Sequence, residues 1–145
     1  FDFKIKNSRH VLLSDYAHHP AEIRQSILSL REVFNGRRLT GIFQPHLYTR
    51  TRDFYHEFAD SLSLLDDVII LDIYPAREQP IEGVTSRLIY DNLRPGMPKR
   101  LCHKEDLPAL VDSEDFDVLA VLGAGDADNY MDQLKAIIEA KEPRP

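Results

Sequence analysis

The sequence holds a single cysteine, Cys102, and one thiol cannot form a disulfide within the chain. A reducing, cytoplasmic setting is therefore expected. No apolar run approaches the roughly 18 residues that a membrane-spanning helix needs, and no charged, apolar and small-residue leader stands at the start. Basic residues are in deficit, with Lys and Arg at 18 against 24 Asp and Glu, for a net charge of -6. That balance argues against a nucleic-acid partner, whose affinity comes from neutralising phosphates, so the arginines call for a local explanation. The sequence also has no Gly-x-x-x-x-Gly-Lys-[Ser/Thr] stretch, hence no phosphate-cradling loop of its own for ATP. Phosphoryl transfer would need catalytic groups from another domain. No ligand set has metal-site spacing. His18 and His19 are adjacent, and adjacent side chains seldom converge on one ion, so no metal is expected on this chain.

What is present is an alternation of strand and helix patterns over 145 residues, a common single-domain length. Phe1 to Lys6 alternate apolar and polar residues as a half-buried strand does, with no initiator methionine ahead of them. The expectation is a single domain, residues 1–145, taken from a longer protein. A turn at Asn7-Ser8-Arg9 leads to a second strand, Val11-Leu12-Leu13, suggesting an antiparallel hairpin. After Pro20, Ile23, Ile27, Leu30 and Phe34 recur at helical spacing until Asn35-Gly36. A strand Leu39–Phe43 follows, then a helix capped by Thr51 with Phe54, Phe58, Leu62 and Leu65 on one face, then an apolar strand Asp67–Ile73. Shorter elements come next: a helix near Arg87–Leu93, a strand near Arg100–His103 and a helix Leu107–Val111. The apolar strand Val118–Leu122 precedes Gly123-Ala124-Gly125 and a last helix carrying Tyr130, Leu134 and Ile137. Such alternation predicts an α/β fold: a Rossmann-like three-layer αβα sandwich on a mostly parallel sheet with an N-terminal antiparallel hairpin. Ligands in such folds sit beyond the carboxyl ends of the strands.

Three strand-end loops are rich in polar groups. In Asp15-Tyr16-Ala17-His18-His19-Pro20 a carboxylate could accept from paired ribose hydroxyls, and the imidazoles could stack on a base or meet phosphate; equally, Asp15 could simply cap the turn. In the stretch from Phe43 to Arg52, Arg50 and Arg52 could grip a carboxylate or phosphate, with His46, Tyr48 and Thr49 completing a polar rim; a solvated arginine pair is the alternative. Tyr74 to Pro80 is stiffened by proline and would shape a wall. Gly123-Ala124-Gly125-Asp126 lacks the third glycine of a dinucleotide fingerprint, so tight-turn packing is its expected role. Cys102 has no partnered motif and is expected to pack rather than react.

Together these residues resemble the C-terminal domain of the Mur ligases. Asp15-Tyr16-Ala17-His18-His19-Pro20 is similar to that family's Asp-Tyr-(Ala/Gly)-His-His-Pro motif. Phe43 to Asp53, Asp72 to Glu78, Pro80 to Val84 and Gly123 to Asp126 follow in the family's order, so the resemblance covers nearly the whole chain. Two positions depart from it: Leu47 stands where arginine is common, and Ser14 replaces a frequent aspartate. The resemblance implies a three-domain ATP-dependent ligase in which the phosphate loop, the Mg2+ ligands and the catalytic groups lie on a central domain. An N-terminal domain would hold the UDP-sugar. The Phe43–Asp53 stretch implies L-alanine and UDP-N-acetylmuramate as the substrates, joined through an acyl phosphate in peptidoglycan synthesis. By the same resemblance Asp15 holds the ATP ribose and His18 lies near the nucleotide. His46, Thr49 and Arg50 contact the L-alanine carboxylate or the acyl group, with Arg50 taking more of the task because Leu47 is uncharged, and His19 supports the site. A sister ligase that recycles tripeptide and a stand-alone nucleotide-binding module are the alternatives.

Overall fold

The computed structural model describes residues 1–123 and 126–142, the side chains of Ala127 and Asp128 excepted. Ala124 and Gly125 of the glycine turn, and the Pro143-Arg144-Pro145 tail, lie outside the described residues. Strand β1 (Asp2–Lys6) pairs antiparallel with β2 (Val11–Asp15). The Asn7 side chain ties their turn by accepting from the N–H groups of Arg9 and His10, both at 2.9 Å, which an Asx turn predicts. The other strands, β3 (Leu39–Phe43), β4 (Asp67–Leu71), β5 (Lys99–Cys102) and β6 (Val118–Leu122), run parallel. Their order is β1-β2-β6-β3-β4-β5, so the last strand lies between β2 and β3.

Helices α1 (Pro20–Val33), α2 (Tyr48–Leu62) and α3 (Arg87–Asp91) share one face of the sheet, where Ile23, Ile27, Leu30, Phe58, Leu62 and Ile89 join one apolar cluster. Helices α4 (Leu107–Ser113) and α5 (Met131–Lys141) cover the other, through Leu107, Val111, Met131, Leu134 and Ile138. Strands β3, β4 and β6 are buried at every position, as continuous apolar strands between two helix layers should be. The three-layer sandwich and its N-terminal hairpin agree with the sequence reading.

Some boundaries differ. Helix α2 begins at Tyr48, and Thr51, expected to cap it, is instead buried inside the first turn with its Oγ1 donating to Leu47 O at 2.9 Å. The cap position is Leu47, at φ 74°. Leu65, expected on the α2 face, packs beyond the helix end, buried in the turn before β4. Strand β4 stops at Leu71 because the backbone of Tyr74 turns to pair with the loop after β3, Leu47 N donating to Tyr74 O and Tyr74 N to Pro45 O, both at 2.8 Å. In α5 the buried positions are Met131, Leu134 and Ile138, while Ile137 is half-buried and Tyr130 sits in the 3-10 turn before the helix.

The amino ends of the strands are closed by ion pairs. Asp67, 2% exposed, accepts from Thr40 Oγ1 at 2.5 Å and meets Arg38 and Arg100 at 3.0 and 3.1 Å, while Asp66 takes the Arg31 guanidinium at 2.9 Å. The opposite, carboxyl edge gathers the loops that carry the candidate site residues.

Candidate functional site

Asp15 ends β2 in register with Leu122 of β6, which is in turn opposite Phe43 of β3. Two strand spacings therefore put the Asp15 and Phe43 backbones about 10 Å apart, with Gly123 between them. Gly123 N donates to Asp15 O at 3.2 Å, and its backbone at φ 108° runs so close to Gln44 that a Cβ would stand 2.8 Å from Gln44 O. Glycine is required here for both reasons. Past Gly123, Asp126 and the buried Gln44 exchange two hydrogen bonds, Gln44 Nε2 to Asp126 Oδ1 at 2.6 Å and Asp126 N to Gln44 Oε1 at 2.9 Å. Lys104 Nζ completes the cluster on Asp126 at 2.5 Å. Burial pushes the Asp126 carboxyl up, but the bonds from Lys104 and Gln44 outweigh it and hold the group below the usual carboxylate range.

The Asp15 carboxylate is shared between its own turn and α1. Oδ1 accepts from Ala17 N at 3.2 Å, and Oδ2 takes a short hydrogen bond from Ser26 Oγ. A groove of about 540 Å³ lies beside it, lined by Asp15, Tyr16, Ala17, Glu22, Gln25 and Ser26 among others; Tyr16 is 74% exposed at its rim. Glu22 reaches back over the start of α1 and accepts from the N–H groups of His18 and His19 at 3.4 and 3.1 Å. Those bonds keep its carboxyl below the usual range. The two adjacent imidazoles do converge, their ring centroids 4.7 Å apart, and with Glu22 they bring three ligand atoms within 4.8 Å of one another. Donors on one tetrahedral zinc are only about 3.3 Å apart. The positive end of α1 further disfavours a cation.

The loop between β3 and α2 and the first turn of that helix place His46, Tyr48, Thr49 and Arg50 together, all half-buried. His46 stacks beside Tyr74 at 5.6 Å and takes a hydrogen bond on Nδ1 from Arg50 Nη1 at 3.3 Å. Burial lowers the His46 pKa, and the charges of Arg50 and His18 lower it further, against a smaller opposing pull from Glu78. His46 is thus a neutral ring with Nε2–H left as a donor. Arg52 pairs with Asp53 at 2.8 Å in solvent. Arg50, by contrast, has no carboxylate within ion-pairing distance among the described residues, so its charge remains for a ligand.

Glu78 was legible in the sequence only as part of a wall. The structure brings it onto the start of α2, where Oε1 accepts from Thr49 N at 3.0 Å and Oε2 from Thr49 Oγ1 at 2.5 Å. Thr49 spends both its protons there. Ser26 and the Gln44–Asp126–Lys104 cluster were likewise silent, since polar residues on a helix or past a strand carry no pattern that reveals a distant partner. At the end of β4 and β5, Asp72 meets His103 Nδ1 at 2.8 Å beside a groove of about 320 Å³, and this pairing raises the His103 pKa. Cys102 lies in the same groove with its thiol pKa raised by burial and by nearby Asp106 and Asp72, an unreactive state that suits packing.

Comparison with known proteins places these loops in a family. The model of the "Mur ligase, glutamate ligase domain" matches residues 3–127. A UDP-N-acetylmuramate--L-alanine ligase of Phocaeicola vulgatus is 63% identical over 141 residues, 97% of this chain and 31% of that protein. This chain therefore spans about a third of the length of that relative. Among solved structures, the UDP-N-acetylmuramate-alanine ligase of Thermotoga maritima superposes with a TM-score of 0.76 at 23% identity, over 97% of this chain and 30% of that one. A domain from a Haemophilus ducreyi protein named as a UDP-N-acetylmuramate:L-alanyl-gamma-D-glutamyl-medo-diaminopimelate ligase has a TM-score of 0.68 at 22% identity, over 94% of this chain and 98% of that one. The fold is thus known as a free-standing unit.

Proposed function

Because this chain belongs to the Mur ligase family, we propose that it is the C-terminal domain of a cytoplasmic enzyme that uses ATP to join L-alanine to UDP-N-acetylmuramate in peptidoglycan synthesis. The observation that carries the choice of substrate is the 63% identity, over nearly the whole chain, to a ligase of that name. The geometry supports the division of labour: Asp15, an acceptor for ribose hydroxyls, ends a strand about two strand spacings, or roughly 10 Å, from the end of β3, and the chain leaving β3 leads to an arginine with an uncommitted charge. No helix among the described residues is long and apolar enough to cross a membrane.

In this reading the substrate carboxylate is activated by ATP as an acyl phosphate, and the amine of L-alanine attacks it to release phosphate. The residues of this chain bind and orient. Asp15, held rigid by Ser26 and Ala17 N, accepts from the ribose, with His18 beside the nucleotide. Arg50 takes the L-alanine carboxylate, and neutral His46 offers Nε2–H next to it. Tyr48 and Thr49 frame that pocket, and His19 supports the turn opposite. Magnesium prefers six oxygen ligands, which the two imidazoles and one carboxylate of His18, His19 and Glu22 do not supply. Its ligands, like the phosphate loop, belong to the central domain of the same enzyme.

The test uses the full-length enzyme and follows phosphate release. L-Alanine should be the preferred amino acid, and preference for glycine or a D-amino acid would refute the substrate. Asp15→Ala should raise the KM for ATP about tenfold, the loss of one charge-assisted hydrogen bond of roughly 1.5 kcal/mol, with the KM for L-alanine unmoved. Unchanged ATP kinetics would remove the ribose assignment. Tight ATP binding by the isolated chain in calorimetry would favour the stand-alone module instead.

A further inference from the structure

Helix α2 starts under strain. Its cap residue Leu47 has φ 74° and ψ 137°, and provides no side-chain cap; β-carbon residues rarely adopt such a backbone. The first N–H groups of a helix need acceptors, and here one comes from another loop. Glu78 is 29 positions away in sequence from Thr49 and closes on its N–H and hydroxyl together. The loop that delivers it is itself bent, with Ala76 at φ 52°, and is pinned to the start of α2 by the reciprocal bonds through Tyr74. The Thr49 bonds, with a further contribution from the Tyr48 backbone, hold the Glu78 carboxyl below the usual range. A carboxylate at a helix N-terminus is also favoured by the helix dipole.

We propose that Glu78 is a positioning residue for amino-acid binding: by clamping Thr49 it fixes the first turn of α2 and so aims the Arg50–His46 pair at the carboxylate of the incoming amino acid. This rests on the reading that Arg50 receives that carboxylate. Arg50 follows Thr49 directly, so a frayed first turn displaces its guanidinium, and misplacement of a binding group by about 1 Å costs up to a hundredfold. Both Glu78 carboxylate oxygens are engaged by Thr49, so its part is to hold the helix start. The nucleotide turn, across β6, is anchored by separate bonds to Ser26 and Ala17 and is independent of it.

The experiment compares Glu78→Ala, Glu78→Gln and Arg50→Ala in the full-length enzyme, with the KM values for L-alanine, ATP and UDP-N-acetylmuramate measured separately. Glu78→Ala should raise the KM for L-alanine about tenfold or more while leaving that for ATP within about twofold. Glu78→Gln, which still accepts from Thr49 N and can meet the hydroxyl, should return most of the loss. Equal changes in all three KM values, no change in that for L-alanine, or a glutamine variant no better than alanine would overturn the proposal. If Arg50→Ala raises the KM for L-alanine and Glu78→Ala does not, only the positioning role fails; if Arg50→Ala leaves it unmoved, the reading of the whole loop fails with it.

Discussion

Replacing Gly123 by alanine should destabilise the domain far more than the same change at Gly36, although both glycines have positive φ. At Gly36, φ is +81° and an added Cβ meets nothing within 4 Å. Only the backbone preference is violated, about 1 kcal/mol. At Gly123, φ is +108° and the Cβ would stand 2.8 Å from Gln44 O, a backbone atom that cannot swing aside. Strain of about 1–3 kcal/mol then adds to an overpacking cost of about 1–3 kcal/mol, for a total of about 2–6 kcal/mol. At this chain length each kcal/mol moves the melting temperature by roughly 3–4 °C. Gly123→Ala should therefore melt about 6–24 °C lower than the parent and Gly36→Ala no more than about 4 °C lower, read by calorimetry or circular dichroism on the isolated chain. Equal shifts would mean that the β6 turn does not press on β3, and the close approach on which the site geometry depends would be wrong.

Ser26→Ala removes the hydroxyl that holds Asp15 Oδ2 and should cost about 1 kcal/mol of stability together with a raised ATP requirement in the full-length enzyme; unaltered ATP kinetics would show that Asp15 needs no second anchor. Phe58, 1% exposed and 5.3 Å from the Phe43 ring, should cost about 3–5 kcal/mol as alanine, measured by urea unfolding. Two histidines should titrate in opposite directions by NMR. His103, raised by Asp72, contributes stability that is fully present below the ordinary histidine pKa and lost as pH rises through its own higher value. His46, lowered by burial and by Arg50, contributes stability present above the ordinary value and lost as pH falls through its own. Asp72→Asn should return His103 toward the ordinary value and leave His46 where it is.

Periodicity carried the layers. Ile23, Ile27 and Leu30 fall on one helical face and are buried there, and Asp67 to Leu71 read as a two-sided strand and are one. What periodicity could not carry was anything decided by a contact between loops. Thr51 has the chemistry of a cap, yet Glu78, from the loop after β4, satisfies the start of α2, so the helix begins four residues earlier and Thr51 is drawn inside. The motifs marked Asp15, His18, His46 and Arg50 as residues of interest, and resemblance assigned them roles. Their second layer, Ser26, Gln44, Asp126 and Glu78, arises from partners 11 to 82 positions apart, which no local pattern encodes.

The strand order has a consequence for how the domain is made. Because β6 is the centrepiece between β2 and β3, the hairpin at one side and the β3-β4-β5 block at the other share no sheet hydrogen bonds until residues 118 to 122 arrive. On a ribosome that releases the chain from its amino end, both loops of the site are synthesised early, while the sheet between β2 and β3 is still open. A nascent chain stalled before Val118 would expose two open strand edges, on β2 and β3, to chaperones and to its neighbours, with only the packing of α1 on α2 to relate the nucleotide turn to the arginine loop.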